Sequence, residues 1–303
     1  MRTILTVLCL VWTSALCLSQ EREHVEQEIR ATAATFGGRV GVAAKNLATG
    51  EMILVNADSL FPTASVIKLP ILVELFQRFH DGTLSPLQQV ALDDDLKKPG
   101  NGVLQFLHGG QTLALVDVAT LMIILSDNTA TNYVIDRFGD EHEDRLEAVN
   151  RRMRFLGLHQ TKLLNKLYSF ATKKKTEEAI RFGIGVSSPA DMALLLERIA
   201  RREAVSPSAS DSMVAILRNQ TDKEMAARWL PSADEDTTFW IANKTGSLDD
   251  RKIDVGIVTH GRTKYVYAIF CDSSTDLGEM PDNKAMLAIA LISRILYEYY
   301  TTH

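Results

Sequence analysis

The stretches that read as β-strands lie at the two ends of this chain, and the residues between them are mainly helical. Val40–Asn46 and Met52–Asn56 are strand-like, and the turn-forming Leu47-Ala48-Thr49-Gly50 joins them as in a hairpin. After Pro231, Phe239–Asn243, Ile253–Thr259 and Lys264–Cys271 are strand-like again, separated by turn material at Ser247–Asp250 and His260-Gly261-Arg262. From Leu84 to about Leu217 the period is helical, with segments at Leu113–Leu125, Ala130–Phe138, Asp144–Leu156 and Ala190–Arg201. The last has Ser188 to cap it, Pro189 at its first position and Asp191 in its first turn. Helices are also expected over Glu21–Phe36, Val66–Phe79 and Lys284–Tyr300. A sheet assembled from both chain ends, with an all-helical insert, is an α/β (α+β) architecture. The expected division is an α/β lobe from 21–82 and 225–303 and an all-α lobe from 83–224, with a pocket at their seam.

Residues 1–20 read as a secretory signal, with Arg2, an apolar run Ile4–Leu18, then Ser19-Gln20 and the charged Glu21-Arg22-Glu23. The run is short beside the about 20 residues of a membrane-spanning helix. Cleavage near Ser19 or Gln20 leaves Cys271 as the only cysteine, so no internal disulfide is expected in a secreted or periplasmic protein. A net charge of −5 over 303 residues excludes a basic nucleic-acid footprint. The seven histidines have no metal-ligand spacing with cysteine or acidic residues, so neither metal nor cofactor is expected. A monomer without a membrane anchor after signal cleavage is the expected state.

Three motifs stand in order: Ser65-Val66-Ile67-Lys68, Ser126-Asp127-Asn128 and Lys244-Thr245-Gly246. A Ser-x-x-Lys arises by chance about once in a chain of this length, and each motif alone also reads as a helix cap, a helix end or a strand end. Together they equip a serine acyl-transfer site that lacks a histidine. Lys68 is one helical turn beyond Ser65 and, if desolvated, can take the hydroxyl proton. Ser126 would pass a proton to the leaving group, Asn128 would hold a substrate amide, and Asp127 would brace the loop. Lys244 would add positive charge, Thr245 could bond a substrate carboxylate, and Gly246 would let the substrate lie close to the strand. The N–H groups of Ser65 and Ser247 would form an oxyanion hole.

With these motifs the chain resembles the class A β-lactamases and their penicillin-binding relatives, over essentially its whole mature length. Phe61-Pro62-Thr63-Ala64, Ser126 to Asn132, Ser187-Ser188-Pro189-Ala190-Asp191-Met192 and Asp254-Val255-Gly256 carry the same resemblance. It implies the β-lactamase/transpeptidase-like fold, a five-stranded antiparallel sheet flanked by helices plus an all-α lobe. It also implies an acyl-serine intermediate and recognition of β-lactams or D-alanyl-D-alanine peptides of peptidoglycan. Arg251 stands where such proteins often carry an arginine for the substrate carboxylate.

One departure limits that resemblance. Class A β-lactamases carry a glutamate in an omega-shaped loop that activates the deacylating water. Aligned from Thr161-Lys162-Leu163, the chain has Leu167 at the glutamate's place and Ala171 at that of the following asparagine, with no acidic residue between Asp144 and Glu177. A leucine cannot take a proton from water. The loop, with Gly100–His108, resembles the cyanobacterial class-A-like penicillin-binding proteins that lack the glutamate. The expected activity is therefore acylation of Ser65 with slow deacylation. The alternatives are a working β-lactamase with Glu177 or Glu178 as a displaced base, and a non-catalytic binding protein.

Overall fold

The computed structural model describes residues 20–169, 172–232 and 234–302. The segment expected to be a signal lies outside them except for Gln20, and so does Ala171. The chain begins with helix α1 (20–36) and runs through β1 (Arg39–Asn46), β2 (Met52–Val55) and β3 (Phe61–Pro62). A 3₁₀ turn, Ala64–Ile67, then leads into α2 (Lys68–His80). Next come β4 (Gln89–Ala91), β5 (Thr112–Ala114), α3 (Leu115–Ile124), α4 (Asn128–Ile135) and α5 (His142–Phe155). They are followed by β6 (Lys162–Leu163), α6 (Glu177–Phe182), β7 (Gly185–Ser187), α7 (Pro189–Ala200) and α8 (Pro207–Arg218). The chain closes with β8 (Phe239–Leu248), β9 (Arg251–His260), β10 (Thr263–Asp272) and α9 (Lys284–Thr302).

Five of these strands form one antiparallel sheet in the order β2-β1-β10-β9-β8. Both chain ends contribute to it, because β1 pairs with β10 along its whole length. Adjacent strand residues face opposite sides, and here each side has its own apolar core. Ile253, Val255, Ile257, Ala268 and Phe270 join the core beneath the helical insert. Val40, Val42, Tyr267, Ile269 and Cys271 join a second core with Ile29 of α1 and Ile289 of α9. The central strands are thus buried on both faces, which is why they read as nearly unbroken apolar runs.

Two expectations change. Helix α2, assigned to the sheet lobe by its position before residue 82, packs against α3, α4, α5 and α8. It belongs physically to the helical layer because it is apolar on nearly every side: all nine residues from Lys68 to Phe76 are buried. Conversely α7, placed in the helical insert, packs on β1, β9 and β10 and covers the sheet. Its start is as read from sequence, with the Ser188 hydroxyl accepting from the Asp191 N–H at 3.2 Å and Pro189 in the first turn. The second change is the length of β8, which was expected to end at Asn243 and runs to Leu248. Lys244, Thr245, Gly246 and Ser247 are therefore paired strand residues, and the turn to β9 is only Asp249-Asp250.

Candidate active site

Ser65 sits in the 3₁₀ turn between β3 and α2, one step earlier than the helix start expected from sequence. From residue 61 to residue 76 it is the one position that is not buried. The turn is entered through Ala64, whose φ of 44° is unusual for a residue with a side chain. The Lys68 N–H donates to the Ser65 carbonyl, so the two residues are linked through the backbone by one turn.

Lys68 is fully buried, and its amine donates to the Ser126 carbonyl at 2.6 Å, the Ser126 hydroxyl at 3.1 Å and Asn128 Oδ1 at 3.0 Å. The Lys244 amine, also fully buried, donates to the same Ser126 hydroxyl at 3.1 Å and to the Thr245 carbonyl at 2.6 Å. One hydroxyl therefore bridges two lysines. Burial pushes the Lys68 pKa well below the usual lysine range, and the positive charge of Lys244 adds to the effect, while Asp127 opposes it. Burial lowers Lys244 as well, to about 8, against the opposing charges of Asp222 and Asp254. A neutral amine beside a cationic one, joined by a hydroxyl, can accept a proton at one end and steady an anion at the other.

Local sequence explains how Ser126 reaches this bridge. Its φ is 54°, so the chain turns sharply after α3. Asp127 caps α4 by accepting from the Ala130 N–H at 2.8 Å, and its other oxygen accepts from the Leu104 N–H at 2.9 Å. That close approach requires Gly102, where a Cβ would fall 2.2 Å from the Asp127 carboxyl. Asn128 is expected to hold a substrate amide. Its Oδ1 is engaged by Lys68 and its Nδ2 donates to the Pro99 carbonyl at 2.9 Å, which leaves one amide N–H uncommitted.

Strand β8 is the sheet's edge and lies against the 3₁₀ turn. A Cβ on Gly246 would stand 3.2 Å from the Ser65 nitrogen and 3.1 Å from the Thr63 carbonyl, so the glycine lets the two main chains meet. Ser247 and Ser65 line one cleft of about 370 Å³. Thr245 is buried beside Lys244 and is not among the lining residues. Arg251 is not brought to the cleft either: its guanidinium lies 2.9 Å from Asp250 and 3.2 Å from Asp272. The next residue, Lys252, is not among the lining residues either, but it reaches one of them. Lys252 pairs with Ser247 across the hairpin, is buried, and donates to the Ser247 hydroxyl at 2.6 Å and the Leu248 carbonyl at 3.2 Å. Sequence reading passed over Lys252 because two basic residues adjoin and only the hairpin register separates them.

The wall opposite β8 is the loop that follows β6. Leu167 is buried and lines the cleft with Ser65. Its backbone is clasped by Asn132: the side-chain Nδ2 donates to the Leu167 carbonyl at 2.8 Å, and Oδ1 accepts from the Leu167 N–H at 3.1 Å. Asn132, four residues after Asn128 on α4, was quoted in the resemblance without a role, and the i, i+4 spacing was its one available signal. Tyr168 follows with φ 48°, and its ring also lines the cleft. None of the lining residues is acidic. Glu178 is drawn to Lys162 at 2.7 Å, Glu177 is exposed in the first turn of α6, and neither lines the cleft. Among the described residues no cluster of metal-binding side chains occurs.

The family described as the beta-lactamase enzyme family matches residues 24–300. Beta-lactamase CTX-M-97 of Escherichia coli is 27% identical over 256 residues, covering 82% of this chain and 80% of that protein. The crystal structure of a beta-lactamase from Sphaerobacter thermophilus has a TM-score of 0.80 at 29% identity, covering 92% of this chain and 97% of that one. A leucine-to-glutamate mutant of PBP-A, as an acyl-enzyme complex with penicillin G, has a TM-score of 0.78 at 27% identity, covering 94% and 98%.

Proposed function

The chain belongs to the beta-lactamase enzyme family and is a serine hydrolase acting on amide bonds, and we propose that it is acylated at Ser65 by β-lactams or D-Ala-D-Ala-type peptides and deacylates slowly. Neutral Lys68 takes the Ser65 proton as Oγ attacks the carbonyl carbon. The N–H groups of Ser65 and Ser247 hold the oxyanion. The C–N bond then breaks, and the leaving nitrogen takes a proton through Ser126. Lys244 and Lys252 place positive charge behind the β8 wall of the cleft, Thr245 bonds the substrate carboxylate once it lies along β8, and the free N–H of Asn128 meets the substrate amide. Water must then attack the ester, and no acidic residue lines the cleft to activate it.

The observation that carries this reading is Leu167, held by Asn132 in a cleft wall that contains no acidic residue. The likeness to PBP-A, for which a leucine-to-glutamate acyl-enzyme was captured, supports it. A displaced base finds no support, since Glu178 is paired with Lys162 and Glu177 is exposed. A pure binding role leaves the buried Lys68–Ser126–Lys244 chain without a purpose, because two buried amines are costly to keep. Export is part of the proposal. It rests on the signal-like residues 1–20.

An intact-mass time course with penicillin G tests the proposal. Wild type should hold a covalent adduct for minutes or longer, and Ser65→Ala should form none. Leu167→Glu should shorten the adduct's life. Rapid turnover by wild type without an accumulating adduct would overturn the proposal in favour of a β-lactamase.

A further inference from the structure

Tyr168 lines the cleft and has no part in the acyl transfer itself. It follows Leu167, whose carbonyl and N–H are held by Asn132, and precedes Ser169, whose hydroxyl donates back to the Leu167 carbonyl at 3.2 Å. Between these anchors its φ is 48°, a left-handed conformation that a bulky side chain adopts only where its surroundings enforce it. The strain does not serve to bury the ring, which is 48% exposed. Among the described residues the Tyr168 hydroxyl has no hydrogen-bond partner. The ring stands between two spaces, the cleft that holds Ser65 and a second cavity of about 460 Å³ lined by Asn132 of α4 and His142 of α5. A side chain held out in this way, unbonded at the mouth of a site, calls for a use.

Gly100 shows where the ring reaches. A Cβ on Gly100, whose φ is 92°, would stand 3.4 Å from the Tyr168 hydroxyl and 2.8 Å from Asn128 Nδ2. The phenol and the Asn128 amide are therefore neighbours. With the free N–H of Asn128 on the substrate amide, the group attached beyond that amide falls against the Tyr168 ring. The lining around it is largely apolar, with Phe182, Ile184 and the half-exposed Leu248 at the end of β8. Of the two cations in the lining, Lys166 gives its amine to Asp136, outside the cleft, at 2.6 and 2.8 Å, and Lys173 is exposed to solvent. We propose that Tyr168 is a specificity-determining residue: its ring packs on the group beyond the substrate amide, so the cleft selects acyl donors that carry an aromatic or other flat apolar group there. Packing two flat apolar groups removes both from water, and a ring already fixed by its backbone has little freedom left to lose. The proposal rests on the acylation of Ser65 argued above.

The test compares acylation rates of the full chain, by intact mass, for two compounds. Penicillin G carries a phenylacetyl group, whereas 6-acetamidopenicillanic acid keeps the amide and ends in a methyl group. Tyr168→Asn removes the ring and tolerates the left-handed backbone, with Tyr168→Gly in reserve should it fail to fold; Tyr168→Phe keeps the ring. Wild type and Tyr168→Phe should prefer penicillin G. Tyr168→Asn should slow its reaction by about tenfold, the worth of one aromatic contact, and leave that of the acetamido compound within about twofold. An equal loss with both compounds, the mark of a loop that has merely shifted, would overturn the proposal. So would an unchanged rate with penicillin G, or a Tyr168→Phe variant that lost the preference. Should wild type form no adduct with either compound, the acylation reading falls, and NMR titration of Ser65→Ala makes the same comparison by equilibrium binding. A selective loss of penicillin G binding on adding Tyr168→Asn keeps the role of Tyr168, and an equal loss overturns it.

Discussion

At the scale of single residues, the site is a set of buried charges whose states depend on one another. Lys68 acts as a base only when neutral, and its lowered pKa places that condition below the ordinary lysine range. Lys244 serves as a cation only while protonated, and it loses its proton as pH rises through about 8. The rate of adduct formation should therefore climb as Lys68 deprotonates and fall again above about pH 8. Lys68→Met keeps the volume and removes the base. It should slow acylation by roughly 10²- to 10⁴-fold, the usual worth of a general base, in single-turnover mass measurements against pH. A variant that retained the wild-type rate would rule Lys68 out as the base. Ser65 and Lys68 were legible in the sequence because their spacing is local. Which of Arg251 and Lys252 reaches Ser247 was not. Neighbouring strand residues face opposite sides, so it depended on a hairpin register that the sequence leaves open.

At the scale of elements, α4 is the piece that joins the two halves of the site. Its first turn presents Asn128 to Lys68, and its next turn presents Asn132 to Leu167. Helical spacing puts both on one face, so one rigid helix sets the distance between the Lys68 amine and the loop wall. Asn132→Ala removes two hydrogen bonds to a buried backbone and leaves its polar groups unsatisfied, a loss of about 1–3 kcal/mol for each group. Amide exchange around Leu167 should speed up by a factor of ten or more, while α5 and β10 keep their protection; an unchanged rate at Leu167 would show that the clasp does not hold the loop. The three motifs were visible as sequence. The small sheets β3-β7-β6 and β4-β5 were not, because strands of two or three residues carry no periodicity.

At the scale of the whole molecule, one sheet serves two cores. Leu72 in α2 belongs to the core under the helical insert, and Ile289 in α9 to the core on the opposite face, both fully buried. Each should lose about 2–5 kcal/mol on truncation to alanine. Because β9 and β10 contribute to both cores, both variants should lower one shared thermal transition in calorimetry. Two separated transitions would show that the faces unfold independently. The same sharing explains why the expected lobe boundaries shifted. Chain position placed α2 with the sheet and α7 with the insert, whereas apolar faces decided which layer each joined.

The sequence by itself determined the chemistry available: a serine, two lysines and a second serine in three local motifs, with Leu167 in the segment where the resemblance leads one to expect an acid. It also pointed to a sheet built from both ends, since strand-like stretches occur at each end with helical sequence between them. Only the tertiary structure decided which side chains share a space. It brought one hydroxyl between two lysines from distant segments, turned Lys252 rather than Arg251 toward Ser247, and set Asn132 on Leu167. Spacing within an element follows from helical and strand periods, which the sequence carries. Register and packing between elements follow from contacts made far along the chain, and these exist only once the cores have closed.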